Sequence, residues 1–135
     1  MRVILDTNVL LSAVMRRDTP PARLLEAWRH SRFSLVSCEM QLDELRAVSR
    51  RPALRERLRP ADIGTLINEV RRLAVMIEPI TGEHGSPDPD DDYLLGLAKA
   101  ARADYLVTGD KSHLLALGQL QRTEIVTARH LADRL

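Results

Sequence analysis

Aromatic side chains are nearly absent from this 135-residue chain, which has one Trp, two Tyr and one Phe. The bases of a nucleic acid would find few platforms to stack on, so any nucleic-acid binding must work through charge and hydrogen bonds. Cysteine is as scarce. Cys38 stands alone, which excludes an internal disulfide and a thiolate metal cluster, and a reducing, cytoplasmic setting is expected. No apolar run approaches the ~20 residues that span a bilayer, and the opening "MRVIL" is too short for the apolar region of a secretory signal. No membrane partner is expected. An excess of charge is missing too: 20 basic and 19 acidic residues leave a net +1, so overall charge selects no partner.

What is present reads as globular, with 44% apolar and 29% charged residues. A chain of this length buries one hydrophobic core and not two, so a single domain over residues 1–135 is expected. Five short aliphatic runs, "RVILD" (2–6), "FSLVS" (33–37), "VMIEP" (75–79), "YLVTG" (105–109) and "EIVT" (124–127), show almost no polar alternation. That pattern suits strands covered on both faces. Helical spacing fills the intervals: after Asp6, from Thr19-Pro20-Pro21, over 39–50, 60–73 and 89–102, and at the C-terminus. Pro20, Pro60 and Pro89 fall where a first turn tolerates a missing N–H. Strands alternating with helices predict an α/β protein, a three-layer α/β/α arrangement around a central, mostly parallel, five-stranded sheet. The one linker-like stretch, "TGEHGSP" (81–87), is too short to divide domains. Cys38 and Trp28 read as packing residues, and His30, His84, His113 and His130 as structural or surface residues, because their spacing matches no metal motif.

In open parallel sheets chemistry gathers beyond the carboxyl ends of the strands, where the strand order reverses. The first strand runs into Asp6-Thr7-Asn8 and the fourth into Thr108-Gly109-Asp110. If the two strands are neighbours, their carboxylates converge. Over 39–50, a step of about 100° per residue puts Leu42, Leu45 and Val48 on one stripe with Glu44 at its edge. Asp43 points away, within reach of Arg46 and Arg50. The run "DPDDDYLLGLAKA" (88–100) divides in the same way. Asp88 is the natural cap, Asp91 emerges where the helix meets the sheet, Asp92 faces solvent, and Asp90 is ambiguous. Asp6, Glu44, Asp91 and Asp110 in one crevice would repel one another unless neutralised. Oxygen-only ligands suit Mg2+ or Mn2+ and do not suit zinc.

These residues resemble a PIN domain, the small metal-dependent ribonuclease fold of VapC-type toxins in toxin–antitoxin pairs. The resemblance spans essentially the whole chain and is carried by "VILDTNVLLSAV" (3–14), "LVSCEMQLDELRAVSRRP" (35–52) and "DPDDDYLLGLAKAARADYLVTGD" (88–110). It implies that Asp6, Glu44, Asp91 and Asp110 form a catalytic and metal-binding site, with Asp6 and Asp91 as direct ligands. Asn8, Thr108 and, more weakly, Ser12 match positions that orient those acids. Helix capping is an equally available role for Thr7 and Asn8. Implied further are Mg2+ or Mn2+ as cofactor, an RNA substrate, a small antitoxin protein as partner, and a homodimer or higher homo-oligomer. The arginines at 46, 50, 51, 55, 57 and 59, against a single acid at 56, read either as a solvated pair of short helices or, for Arg46, Arg50, Arg51 and Arg55, as a grip on the RNA backbone. One rival is another Mg2+-dependent phosphoryl-transfer domain. It lacks support, since no second acid stands two residues after Asp6 and no convincing strand-end lysine appears late in the chain. The other is a non-catalytic PIN-like module that binds RNA or protein.

Overall fold

The computed structural model describes residues 1–109 and 112–135. Its strands form where aliphatic runs find cover on both sides, and alternate residues serve opposite cores. In β1 (Arg2–Leu5), Val3 and Leu5 enter one cluster and Ile4 the other. The same alternation separates Leu35 from Val36 in β2 (Ser34–Ser37), Val107 from Leu106 in β4 (Tyr105–Thr108) and Val126 from Ile125 in β6 (Thr123–Thr127). Both faces of the sheet are therefore dry, which is why these runs lack polar alternation.

The layers are unequal. One face is covered by α1 (Thr7–Met15), α2 (Pro20–Arg29), α3 (Glu39–Ser49), α5 (Pro60–Leu73) and α7 (Ala128–Ala132). The other carries α6 (Asp92–Ala101) and, with it, Leu114 of a 3-10 turn, His113–Leu117. In α5, over the span where helical spacing is expected, Ile63, Leu66, Ile67 and Val70 are buried along one stripe.

The sheet is mixed and has six strands in the order β3-β2-β1-β4-β6-β5, where β3 is Val75–Met76 and β5 is Gln119–Leu120. The expected five-stranded count is thus one short. The additional strand, β5, pairs antiparallel with β6 through Gln119↔Glu124 and Leu120↔Thr123. Two residues are too few to show any period, and the reversal relies on Gln121 adopting a left-handed backbone, φ 52°. All other pairings are parallel. Two helix boundaries also differ from expectation. Residues 89–91 form a separate 3-10 turn before α6, and Pro52–Arg55 make a short helix, α4, inside the arginine-rich stretch. Among the described residues no helix is long and apolar enough to cross a membrane.

β1 lies between β2 and β4, and the chain changes direction of travel across the sheet at this point. The backbone N–H of Asp6 extends the β1–β4 ladder by donating to Val107 O at 2.8 Å. α3 is tied to the same place by a fully buried amide. Gln41 donates from Nε2 to Leu5 O at 2.7 Å and accepts at Oε1 from Ser37 Oγ at 2.5 Å. The end of β1, the end of β2 and the first turn of α3 thus share one hydrogen-bonded junction. Replacing Gln41 with Leu would leave Leu5 O and Ser37 Oγ unpaired in a dry interior. A loss of about 1–3 kcal/mol of stability in urea unfolding is expected, with the fold retained.

Candidate active site

Asp6 leaves β1 and caps α1. Its side chain accepts the Asn8 N–H at 3.3 Å on Oδ1 and the Thr108 hydroxyl at 2.8 Å on Oδ2. Only 6% exposed, it is a carboxylate largely removed from water with neutral donors around it. Burial pushes its pKa up; the Thr108 and Asn8 hydrogen bonds work in the opposite direction, and the Glu44 charge adds to the rise.

The second acid comes from α3. Gln41 fixes the first turn, Leu42 and Leu45 bury the inner face, and Glu44 stands at the boundary, half-buried. Its Oε1 accepts the Thr7 hydroxyl and, at 2.7 Å, the Tyr93 hydroxyl. Burial holds the Tyr93 phenol far above its usual range. It therefore stays protonated and can only present its hydrogen to the carboxylate. Glu44 is thereby bound to the start of α1 and the start of α6 at once.

The third acid, Asp91, ends the 3-10 turn and occupies the position before α6. Its pKa is pushed up to about 6, by burial first and then by the charges of Asp6, Asp88, Glu44 and Asp90. Asp6, Glu44 and Asp91 line one cleft of about 380 Å³, together with Thr7, Asn8, Met40, Arg51, Asp88, Asp90 and Tyr93. Among the described residues, no ion pair involves Asp6, Glu44, Asp88, Asp90 or Asp91. Among the described residues the cleft thus concentrates negative charge that no ion pair offsets. Nor, among the described residues, do three His, Cys, Asp or Glu side chains stand so as to hold a metal ion. Asp110, the fourth acid expected, lies outside the described residues.

The other expected residues separate by place. Thr108 is fully buried and touches Asp6 directly, whereas Asn8 acts through its backbone N–H, not its exposed side chain. Ser12 is not in the acidic cleft; with Asn8, Thr108 and Arg129 it lines an adjoining groove. Arg51 borders the acids, while Arg46, Arg50 and Arg55 surround a separate groove floored by Leu58, Ile63 and Ile67. Asp43 is exposed as expected, but the ion pairs of the described residues do not join it to Arg46 or Arg50. Asp88 caps the 3-10 turn by accepting from Asp90 N–H at 3.0 Å, and Asp90 is exposed at the cleft margin.

Asp92 does not face solvent. It is half-buried and accepts the His84 N–H and the Ser86 N–H, each at 2.9 Å, because the segment before α6 folds back over that side of the helix. Thr7, Gln41 and Tyr93 were not singled out by the sequence pattern. Tyr93 did leave a signal: a tyrosine placed between an acidic cap and a buried leucine run needs a partner for its hydroxyl.

An open α/β/α sheet with acids gathered beyond the carboxyl ends of its parallel strands defines the class. The family model for the PIN domain matches residues 2–112, and the chain belongs to the PIN domain family. Among solved structures, the crystal structure of FitAcB from Neisseria gonorrhoeae is similar in fold, with a TM-score of 0.54 at 18% identity over 95% of this chain and 99% of that one. No curated protein matches the sequence.

The elevated Asp91 pKa has a defined consequence for stability without metal. Between the unfolded value of 3.8 and the folded value of about 6, the native state binds more protons than the unfolded one. Stability from this group is therefore full below pH 4 and lost as pH rises through 6. In EDTA at pH 7, Asp91→Asn is expected to raise the melting temperature by roughly 3 °C, the effect of about 1 kcal/mol in a domain of this size. The difference should vanish toward pH 4 in thermal melts of both proteins.

Proposed function

We propose that this chain is a metal-dependent endoribonuclease hydrolysing RNA phosphodiester bonds, and the toxin component of a toxin–antitoxin pair. The reading is carried by one observation: in a PIN-family chain, Asp6, Glu44 and Asp91 line one cleft where neutral hydroxyls and a backbone amide hold Asp6 and Glu44, and among the described residues no lysine or arginine pairs with any of the three. The donor set is all carboxylate oxygen, which fits a hard cation such as Mg2+ or Mn2+. Asp6 and Asp91 would hold it, and Glu44 and Asp110 would complete the set directly or through water. A divalent ion would supply the positive field that a phosphodiester requires in an acidic cleft, and would acidify water for in-line attack.

The chain's own residues provide orientation. Thr108 and the Asn8 N–H fix both oxygens of Asp6, so its carboxylate is turned before any ligand arrives. Thr7 and Tyr93 both engage Oε1 of Glu44. Arg51, beside the acids, is placed to take a phosphate next to the scissile one, and Arg46, Arg50 and Arg55 offer further phosphate contacts around the neighbouring groove. A small antitoxin that covers the cleft, and pairing of two or more copies of this chain, belong to the same proposal.

A labelled RNA pool with Mg2+ or Mn2+ tests it. Cleavage is expected to stop in EDTA, and to fall at least ~100-fold in Asp6→Asn and Asp91→Asn. Arg51→Ala should weaken RNA binding and lower the salt slope by roughly 1. Cleavage that survives both EDTA and Asp6→Asn belongs to a contaminant and sinks the nuclease reading. The second reading, a non-catalytic RNA- or protein-binding module, is favoured by the absence of a closed three-ligand set among the described residues. Calorimetry that detects no Mn2+ binding by the intact protein would favour it over the nuclease reading.

A further inference from the structure

Asp6 stands at the end of β1 and Glu44 on α3, whereas Asp91 is carried by a 3-10 turn outside the sheet. Asp91 lies at the end of a strap, residues 80–88, that leaves β3, turns through left-handed glycines at 82 and 85, and lies along α6. Its seat is specific. Ile80 N–H donates to Gly96 O at 3.2 Å. His84 Nε2 lies 2.8 Å from Ile80 O, and Lys99 Nζ lies 2.9 Å from His84 Nδ1. An ammonium can only donate, so Nδ1 is the acceptor and Nε2–H donates to the carbonyl, the arrangement of a neutral imidazole. Gly96 is required for this fit: a Cβ there would stand 2.5 Å from Ile80 O and 2.9 Å from His84 Nε2.

From the strap a chain of hydrogen bonds leads to the site. Asp92 accepts from His84 N–H and Ser86 N–H with its two oxygens. Ser86 Oγ donates to Asp88 O at 2.7 Å and accepts Asp88 N–H at 3.2 Å. Asp88 then closes the turn, its backbone oxygen accepting Asp91 N–H at 3.1 Å. Each link is short, and together they join α6 to the backbone that carries Asp91.

We propose that Asp92, His84, Lys99 and Gly96 are positioning residues: they seat the strap on α6 and so set where Asp91 stands, coupling strap docking to cation binding in the acidic cleft. The coupling rests on the metal-site reading above. It is reciprocal, so a cation held by Asp91 must also tighten the strap.

The test uses the intact chain, Mn2+ calorimetry and amide hydrogen exchange over 80–88. In the unaltered protein, Mn2+ should bind and slow exchange at His84 and Ser86. Asp92→Ala and Gly96→Ala perturb the seat from its two sides. Each is expected to speed exchange at those amides and weaken Mn2+ about tenfold, the lower end of the effect of a residue that orients a ligand. Asp92→Asn keeps one acceptor oxygen and should recover part of the affinity, which a merely destabilising change would not show. If Gly96→Ala does not fold, His84→Ala reads the same coupling from the strap itself. Faster exchange with unchanged Mn2+ affinity would overturn the positioning role and leave the metal site intact. No Mn2+ binding by the unaltered protein would overturn both.

Discussion

The candidate site depends on a buried carboxylate that, among the described residues, has no counter-charge. Asp6 follows β1 and donates its N–H to β4, is almost closed to water and accepts from the Thr108 hydroxyl and the Asn8 amide. Retaining a charge there costs free energy, and the rise in its pKa expresses that cost. The surrounding structure offsets it with directed donors and with the N-terminus of α1, whose free amides favour negative charge. The same preorganisation would serve a cation: Asp6 and Glu44 are turned and held in advance, so little ordering of these two is left for binding.

The uneven layers explain how further groups reach that point. Most helices cover one face of the sheet, and α3 and α1 from that face meet α6 from the other at the end of β1. The Glu44 carboxylate is where they join, through Thr7 on α1 and Tyr93 on α6. Gln41 does the corresponding task below it, binding α3 to β1 and β2. On the α6 side the support passes from packed leucines to the strap, where hydrogen bonds replace core contacts.

Much of the frame was legible in the residues. Dry, non-alternating runs implied a two-sided sheet, and the stripe in α3 fell where 3.6-residue spacing placed it. The condition on which the carboxylates of Asp-Thr-Asn and Thr-Gly-Asp would converge, that β1 and β4 be neighbours, is met in their register, Leu5↔Val107. Asp91 lines the acidic cleft and Asp92 does not, although Asp91 stands in a 3-10 turn and not on the α-helix whose phase was used to choose it. What failed was local and short. β5 has two residues and no period, and the solvent side assigned to Asp92 ignored a strap that no periodicity announces. Arg46, Arg50, Arg51 and Arg55, adjacent in sequence, are divided between two grooves because α3 ends and α4 begins within them.

The sequence by itself determined which segments are strands and helices, which faces they bury, and that acids cluster at strand and helix ends, because those properties follow from hydropathy period and capping chemistry carried within a few residues. Only the tertiary structure decided which donors answer which acid: Thr108 and Asp6 are 102 positions apart, Tyr93 and Glu44 49 apart. Hydrogen bonds of that span depend on how strands are ordered and helices packed, a property of the whole chain that no local pattern encodes. The strap shows the same dependence over a shorter span, since "TGEHGSP" reads as a linker until α6 supplies Gly96, Asp92 and Lys99 to receive it.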